Sequence, residues 1–371
     1  MFLAIGIALF IIALIPYFVY LLGISFGKKS TEASFPEVFP PITMIMSAYN
    51  EESVVEERVA NLMQCHYPRE SCEIIFIDDC SSDQTLSRAK TCLEKSEFEF
   101  TLIANTERLG TNRSYNHAMK QARYPIIVTT DADVFFEPDA LNYLIGRLMS
   151  DPAIAAVTGE LSPRKNENNT TKLEGAYRSY YGRMCDWEST IDSTYNFNGA
   201  LVAFRTDLIR RIDDKRGSDD ANTAFEAIRK GYRAVYERRA MVFEDIPSSF
   251  SVQYRQKIRR AKRLIEATLA NLDLLGMNRP FTRFFYPLRL FMNVCTPTLF
   301  FVSLLLIAAG LYPVYPLLLL AMACLVVIVG IVWRENLFNA FVVNQFYLFV
   351  GLLNMGKDTR IWDSTSKKGN S

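Results

Sequence analysis

The sequence predicts an α/β fold: a mostly parallel sheet with helices on both faces, plus transmembrane helices at both ends. Two observations predict it. From residue 42 to about 158, short β-forming apolar runs alternate with helical stretches, the pattern of a parallel sheet covered on both sides. Around that region lie long apolar segments. The bulk composition agrees with the mixture: of 371 residues, 50% are hydrophobic and 22% charged.

Residues 1–27 carry no charged side chain. At ~1.5 Å per residue they are long enough to cross a ~30 Å hydrocarbon core. The basic pair Lys28-Lys29 follows the apolar run instead of preceding it, so the segment reads as an uncleaved anchor and not as a secretory signal. The positive-inside rule then puts the N-terminus outside and the residues beyond Lys29 in the cytoplasm, making the chain an integral protein of the cell membrane. Residues 28–41, with three Pro, read as a linker.

Within 42–265, strands are expected at Ile42–Ala48, Glu73–Ile77, Phe100–Ala104, Ile126–Thr130 and Ile154–Thr158. Helices are expected at Ser53–Met63, from Ser82 or Asp83 to about Lys95, at Asn112–Ala122 and at Leu141–Met149, with Pro138 suited to a first turn. After Gly159 the alternation weakens into an aromatic stretch holding Tyr177, Tyr180, Tyr181 and Trp187. Residues 266–293 mix Arg with Phe and Tyr and fit interfacial helices. Two spans follow in 294–333, Val294–Leu311 and Tyr315–Val332. Residues 334–356 carry Asn339, Asn344 and Gln345, amides that are costly in hydrocarbon, so an interfacial or re-entrant segment is expected there. The basic tail 357–371 is expected in the cytoplasm.

Several classes are excluded. A net charge of +1 leaves no broad nucleic-acid footprint. Seven Cys occur without a C-x-x-C pair, which argues against a zinc site and a disulfide framework. Phosphate-loop, G-x-G-x-x-G and G-x-S-x-G motifs are absent from the sequence. Of the two His, His117 lies in a helical stretch and reads as structural.

Open parallel sheets bind ligands beyond the C-terminal ends of their strands. Polar and acidic residues collect at three such ends: Ala48-Tyr49-Asn50-Glu51, Asp78-Asp79 and Asp131-Ala132-Asp133. Taken alone, Asp131 and Asp133 suit an ordinary turn. Two carboxylates at that spacing also suit Mg²⁺, which takes one or two carboxylates and completes its shell with substrate phosphate oxygens. A sugar-nucleotide diphosphate supplies such oxygens, a nearby carboxylate can take a proton from an acceptor hydroxyl, and basic side chains can hold the diphosphate.

In this order and spacing the segments resemble family-2 glycosyltransferases, in the membrane branch that includes cellulose, chitin and hyaluronan synthases and lipid-linked-glycan enzymes. "SAYNEE" (47–52) resembles the opening nucleotide-binding motif, which implies donor contacts from Ala48, Tyr49 and Glu51. "IDDCSSDQT" (77–85) resembles the base-recognition segment and implies that Asp79 touches nucleobase or ribose. "TDAD" (130–133) is similar to the metal motif, implying Mg²⁺ or Mn²⁺ on Asp131 and Asp133, with Asp133 the direct ligand and Asp131 nearer the ribose. "NFNGALVAFR" (196–205) resembles the acceptor-side segment, with Asn198 and Gly199. "SDDANTAFEAIRKGYRAVYERRA" (218–240) is similar to the block holding the base, which makes Asp220 the base and Asp219 its acceptor-side neighbour.

"QKIRR" (256–260) resembles Gln-x-x-Arg-Trp and implies donor contacts from Gln256, Arg259 and Arg260. Arg260 replaces the Trp that helps hold a growing polymer. "ERLGTNRSYNHA" (107–118) has Thr111 where a Lys is usual, leaving Arg108 or Arg113 to supply the charge, and Arg113 is taken as the donor contact. Glu244-Asp245 is a rival to the 219–220 pair.

The resemblance implies a GT-A type, nucleotide-sugar-binding fold. It implies a membrane-bound, inverting, metal-dependent glycosyltransferase with a UDP- or GDP-sugar donor and a lipid-linked or glycan acceptor. A processive polysaccharide synthase is the alternative enzyme. A catalytically inactive membrane scaffold or regulatory subunit is the alternative of another class.

Overall fold

The computed structural model describes residues 1–28, 34–164, 169–214, 219–246, 249–321, 324 and 337–356. The chain divides into two compact units. A sheet unit comprises the described residues of Lys29–Arg164 and Cys185–Arg255. A helical unit comprises Met1–Lys28, Lys165–Met184 and Gln256–Gly356.

In the sheet unit the strands are β1 (Ile42–Ala48), β2 (Cys72–Asp78), β3 (Glu99–Ala104), β4 (Ile126–Asp131), β5 (Val134–Phe136), β6 (Ile154–Pro163), β7 (Val202–Arg205) and β8 (Arg233–Glu244). Their order is β3-β2-β1-β4-β7-β6-β8-β5. The first four run parallel, as expected. β7 is antiparallel to both β4 and β6, β8 returns parallel to β6, and β5 is antiparallel to β8. The sheet is therefore parallel in its first half and mixed in its second.

Helices cover the strands. α1 (Phe2–Phe26) belongs to the helical unit; α2 (Val55–Met63), α3 (Thr85–Glu94), α4 (Thr111–Ala118) and α5 (Ala140–Met149) belong to the sheet unit. β2 is buried at every position, and its centre, Ile74–Ile77, reads as an unbroken apolar run. Val55, Val59 and Leu62 of α2 recur at helical spacing and enter the same core as Met44 and Phe76. Each such side chain stabilises the fold by roughly 1.5–3 kcal/mol.

β8 was not expected as a strand. Glu237, Arg238 and Arg239 interrupt its apolar residues, and register shifts break its pairing with β6 between Gly159 and Glu160. β5 is three residues long, too short to stand out between the Asp-x-Asp turn and Pro138.

In the helical unit, α1 and a 31-residue helix, Phe281–Leu311, are long and apolar enough to cross a membrane. The segment read as an interfacial helix is thus continuous with the apolar run that follows it. The two helices pack closely: a Cβ on Gly6 would lie 2.9 Å from the backbone of Ile307, so only glycine permits this approach. A 17-residue helix, Leu337–Leu353, carries the amides. They find partners: Gln345 donates to the Tyr17 hydroxyl at 2.7 Å, Asn344 donates to the Tyr181 hydroxyl at 3.2 Å, and the Tyr177 hydroxyl donates to Asn344 at 2.9 Å. These bonds meet part of the amides' hydrogen-bonding capacity, while Gln345 Oε1 is buried without a hydrogen-bond partner. Most of the expected span Tyr315–Val332, and the tail 357–371, lie outside the described residues. α6 (Asn169–Ile191) takes in the aromatic stretch, and α8 (Phe250–Ala270) carries the basic run.

Candidate functional site

Strand register brings the predicted strand-end residues to one level. Ala48 pairs with Asp78, and Ser47 pairs with Asp131. The chain then leaves β1 and β2 through two loops that are laced together. The N–H groups of Asn50, Glu51 and Glu52 donate to side-chain oxygens of Ser81, Thr85 and Asp83, at 2.9, 2.7 and 3.2 Å. In return, the N–H groups of Ser82 and Gln84 donate to side-chain oxygens of Asn50 and Glu52, at 2.9 and 3.0 Å. Asn50 and Cys80 take positive φ, 52° and 64°, to make these loops.

Asp79 is 3% exposed, and its carboxylate is the hub of a third loop. Oδ1 accepts from Asn105 Nδ2, Leu109 N and Ser114 Oγ at 2.9–3.0 Å. Oδ2 accepts from Gly110 N at 2.9 Å and from Arg108 Nε at 3.2 Å. Burial alone would raise this carboxyl. The Leu109 and Gly110 amides, with Asn105 and Ser114, outweigh it and hold the group below the usual carboxylate range.

Five donors fill the oxygens that the sequence reading assigned to nucleobase or ribose. The guanidinium of Arg108 lies over the Tyr49 ring, 3.2 Å from its centroid. Arg113, taken as the donor contact, instead pairs with Asp214 at 3.3 Å. Of the two candidate cations, the structure thus brings Arg108, not Arg113, to Tyr49 and Asp79. Nothing in the sequence spacing separated them. His117 contacts the Asn105 side chain at 3.1 Å, consistent with a structural role.

The Asp131–Asp133 turn joins β4 to β5. Asn61 of α2 fixes its far end by donating to Phe136 O at 2.9 Å and accepting from Phe136 N at 2.8 Å. Thr130 fixes its near end through Ala200 O at 2.8 Å. Among the described residues no group of three His, Cys, Asp or Glu is placed to hold a metal. Two carboxylates on one turn still fit a hard divalent ion whose other ligands are diphosphate oxygens and water.

α7 (Asp219–Arg229) opens with the predicted base pair. Asp219 starts the helix, its side chain lying outside the described set. Asp220 meets Gly199: a Cβ at residue 199 would fall 2.7 Å from Asp220 Oδ1. Asn198 donates to Gly159 O at 2.6 Å, and its Oδ1 is buried without a hydrogen-bond partner. The structure therefore joins the segments read as acceptor side and base. In the rival pair, Glu244 ends β8 opposite Val134, and Asp245 lies 3.6 Å from Arg164. Gln256, Arg259 and Arg260 sit on α8, in the helical unit.

The fold is GT-A-like. A mannosyltransferase from Pyrobaculum calidifontis, solved in complex with GDP-Man and Mn²⁺, matches it with a TM-score of 0.81 at 24% identity, over 95% of this chain and 98% of that one. Residues 43–212, a little under half of the chain, match the model of glycosyl transferase family 2. Among curated proteins, the poly-β-1,6-N-acetyl-D-glucosamine synthase of Staphylococcus aureus is 27% identical over 225 residues, 60% of this chain and 54% of the relative. That of Staphylococcus epidermidis is 23% identical over 250 residues, 66% of this chain and 60% of the relative. The chain thus spans little more than half the length of the curated relatives it matches.

Proposed function

We propose that the chain is a membrane-bound, metal-dependent, inverting glycosyltransferase. It moves a sugar from a nucleotide-sugar donor to a hydroxyl of a lipid-linked or glycan acceptor. The observation that carries this reading is the strand-end register, which sets Ala48, Asp78 and Asp131 at one sheet edge.

In this reading Tyr49 and Arg108 hold the nucleoside. Asp131 and Asp133 hold Mg²⁺ or Mn²⁺, with Asp133 the direct ligand; the ion supplies charge neutralisation for the departing diphosphate. Asp220 takes the proton of the acceptor hydroxyl, whose oxygen attacks the anomeric carbon. That carbon's bond to the diphosphate oxygen breaks, and a nucleoside diphosphate leaves. One displacement inverts the configuration. Asp219, Asn198 and Gly199 line the acceptor side, and Gln256, Arg259 and Arg260 hold the diphosphate or acceptor. α1 and the 281–311 helix anchor the chain, with the N-terminus outside and the sheet unit in the cytoplasm. The Pyrobaculum enzyme's GDP-Man and Mn²⁺ support a nucleotide-sugar donor with a divalent ion.

The names of the staphylococcal relatives favour a second reading, a polysaccharide synthase. Arg260, in place of an aromatic at that motif, favours single addition.

The test is purified protein offered GDP- and UDP-sugars with lipid-linked acceptors, with and without Mn²⁺. A single added sugar supports the first reading, and a ladder supports the second. Asp220→Asn should abolish transfer while nucleotide binding persists. Near-normal turnover in that variant removes Asp220 as base.

A further inference from the structure

Arg58 of α2 is fully buried, with 0% exposure. Its Nη1 donates to Asn61 Oδ1 at 2.9 Å and its Nη2 to Thr130 Oγ1 at 3.2 Å. The guanidinium lies over the Phe136 ring, 4.0 Å from its centroid, and Nε has no hydrogen-bond partner. Among the described residues no carboxylate hydrogen-bonds to it. Two of these three contacts, Thr130 and Phe136, lie on either side of the Asp131–Asp133 turn. Burial lowers its pKa to about 10, while Cys65 and the carboxylates of Asp133 and Asp131 act the other way. Arg58 is therefore charged at neutral pH and feels both acids of the turn through space.

A buried cation without a bonded counter-ion costs stability, and nonpolar replacement of such groups is often neutral or stabilising. Here it would also strand nothing. Without Arg58, Asn61 Oδ1 keeps Phe136 N, and Thr130 Oγ1 keeps Ala200 O. The fold thus has no evident need of the charge, whereas the turn has one.

We propose that Arg58 is a positioning residue that sets the metal affinity of the Asp131–Asp133 turn. Its fixed positive charge offsets part of the turn's negative charge, so a divalent ion binds weakly by itself and firmly only when a diphosphate adds its own. Metal loading is thereby tied to donor arrival. The proposal rests on the reading that Asp131 and Asp133 hold the ion.

The experiment is Mn²⁺ titration of the full chain in detergent, followed by electron paramagnetic resonance, without nucleotide and with GDP or UDP. Wild type is compared with Arg58→Met, Arg58→Gln and Arg58→Lys. Removing one nearby charge should tighten nucleotide-free Mn²⁺ binding roughly tenfold in the two neutral variants, and Arg58→Lys should stay within about twofold of wild type. The neutral variants should unfold at no lower temperature than wild type. A folded neutral variant with unchanged or weaker nucleotide-free affinity overturns the proposal. So does loss of fold in both neutral variants but not in Arg58→Lys, which would make the charge structural. Wild type that binds no Mn²⁺ with either nucleotide overturns the metal reading itself, a failure distinct from the other two.

Discussion

Gly199 packs directly on the carboxylate of Asp220, with room for hydrogen and for nothing larger. A methyl at 199 would meet Oδ1 at 2.7 Å and Oδ2 at 3.2 Å. Gly199→Ala must therefore rotate or displace the carboxylate. If Asp220 is the base, kcat falls by roughly 10²-fold, the order seen when a reacting group is misplaced by about 1 Å. Circular dichroism should report a folded protein, and nucleotide affinity should hold. Unchanged kcat would separate Asp220 from the chemistry.

Asp79 gives a different expectation. Its carboxylate accepts five hydrogen bonds, and an amide at that position would turn an N–H₂ group toward some of the same donors. Asp79→Asn should lower stability by about 2 kcal/mol, from charged hydrogen bonds lost and buried donors stranded. Its folded pKa lies below the usual range, so its contribution is present above the unfolded value of about 3.9 and is lost as pH falls through the folded one. Denaturation curves should show the variant's deficit at pH 7 and its disappearance under acid. A variant as stable as wild type at pH 7 would count against the hub.

The Arg108–Tyr49 stack predicts coupling. Arg108→Ala and Tyr49→Ala should each raise the donor KM. The double variant should fall short of additivity by roughly 1 kcal/mol, a typical cation–π term. Arg113→Ala, which breaks the pair with Asp214, should leave donor KM near wild type. The reverse ranking would restore Arg113 as the donor contact.

Glu174 of α6 is buried and accepts from Lys257 at 2.5 Å and Arg178 at 2.9 Å. Burial would raise its carboxyl, but Arg178 and Lys257 hold it down at about 2. The stabilisation is fully present above the unfolded value of about 4.3 and is lost as pH falls toward the folded one. Glu174→Gln should cost about 3 kcal/mol at pH 7, because two cations lose their partner in a largely buried place. Thermal melts of the two proteins should draw together below about pH 4.3 and converge only as pH falls to about 2. Equal melting temperatures at pH 7 would show the pair to be inert.

The first half of the sheet was legible in the sequence because burial on both faces writes the centres of strands such as Ile42–Ala48 and Cys72–Asp78 mainly in apolar residues. β8 was hidden because its charged residues pair locally, as Arg239 does with Glu237 at 3.1 Å, and leave no clean alternation. At the candidate site, the strand-end acids and the Asn198-Gly199 segment were visible as motifs. Arg58 was not. In sequence it is one more charge on an amphipathic helix between Glu57 and Val59, and only the fold reveals that the charge points inward. The choice of Arg108 over Arg113 also required coordinates, since five residues of loop and helix start decide which guanidinium reaches Tyr49.

The lacing of residues 50–52 to 81–85 has a consequence for inheritance. Each loop gives side-chain oxygens to the other's backbone, so the conformation of each depends in part on the other's sequence. A chimera that imports 47–52 from a distant relative without 78–85 would orphan up to five backbone amides at the sheet edge. The two stretches, about thirty residues apart, should therefore be exchanged together if the sheet edge is to keep its hydrogen bonds.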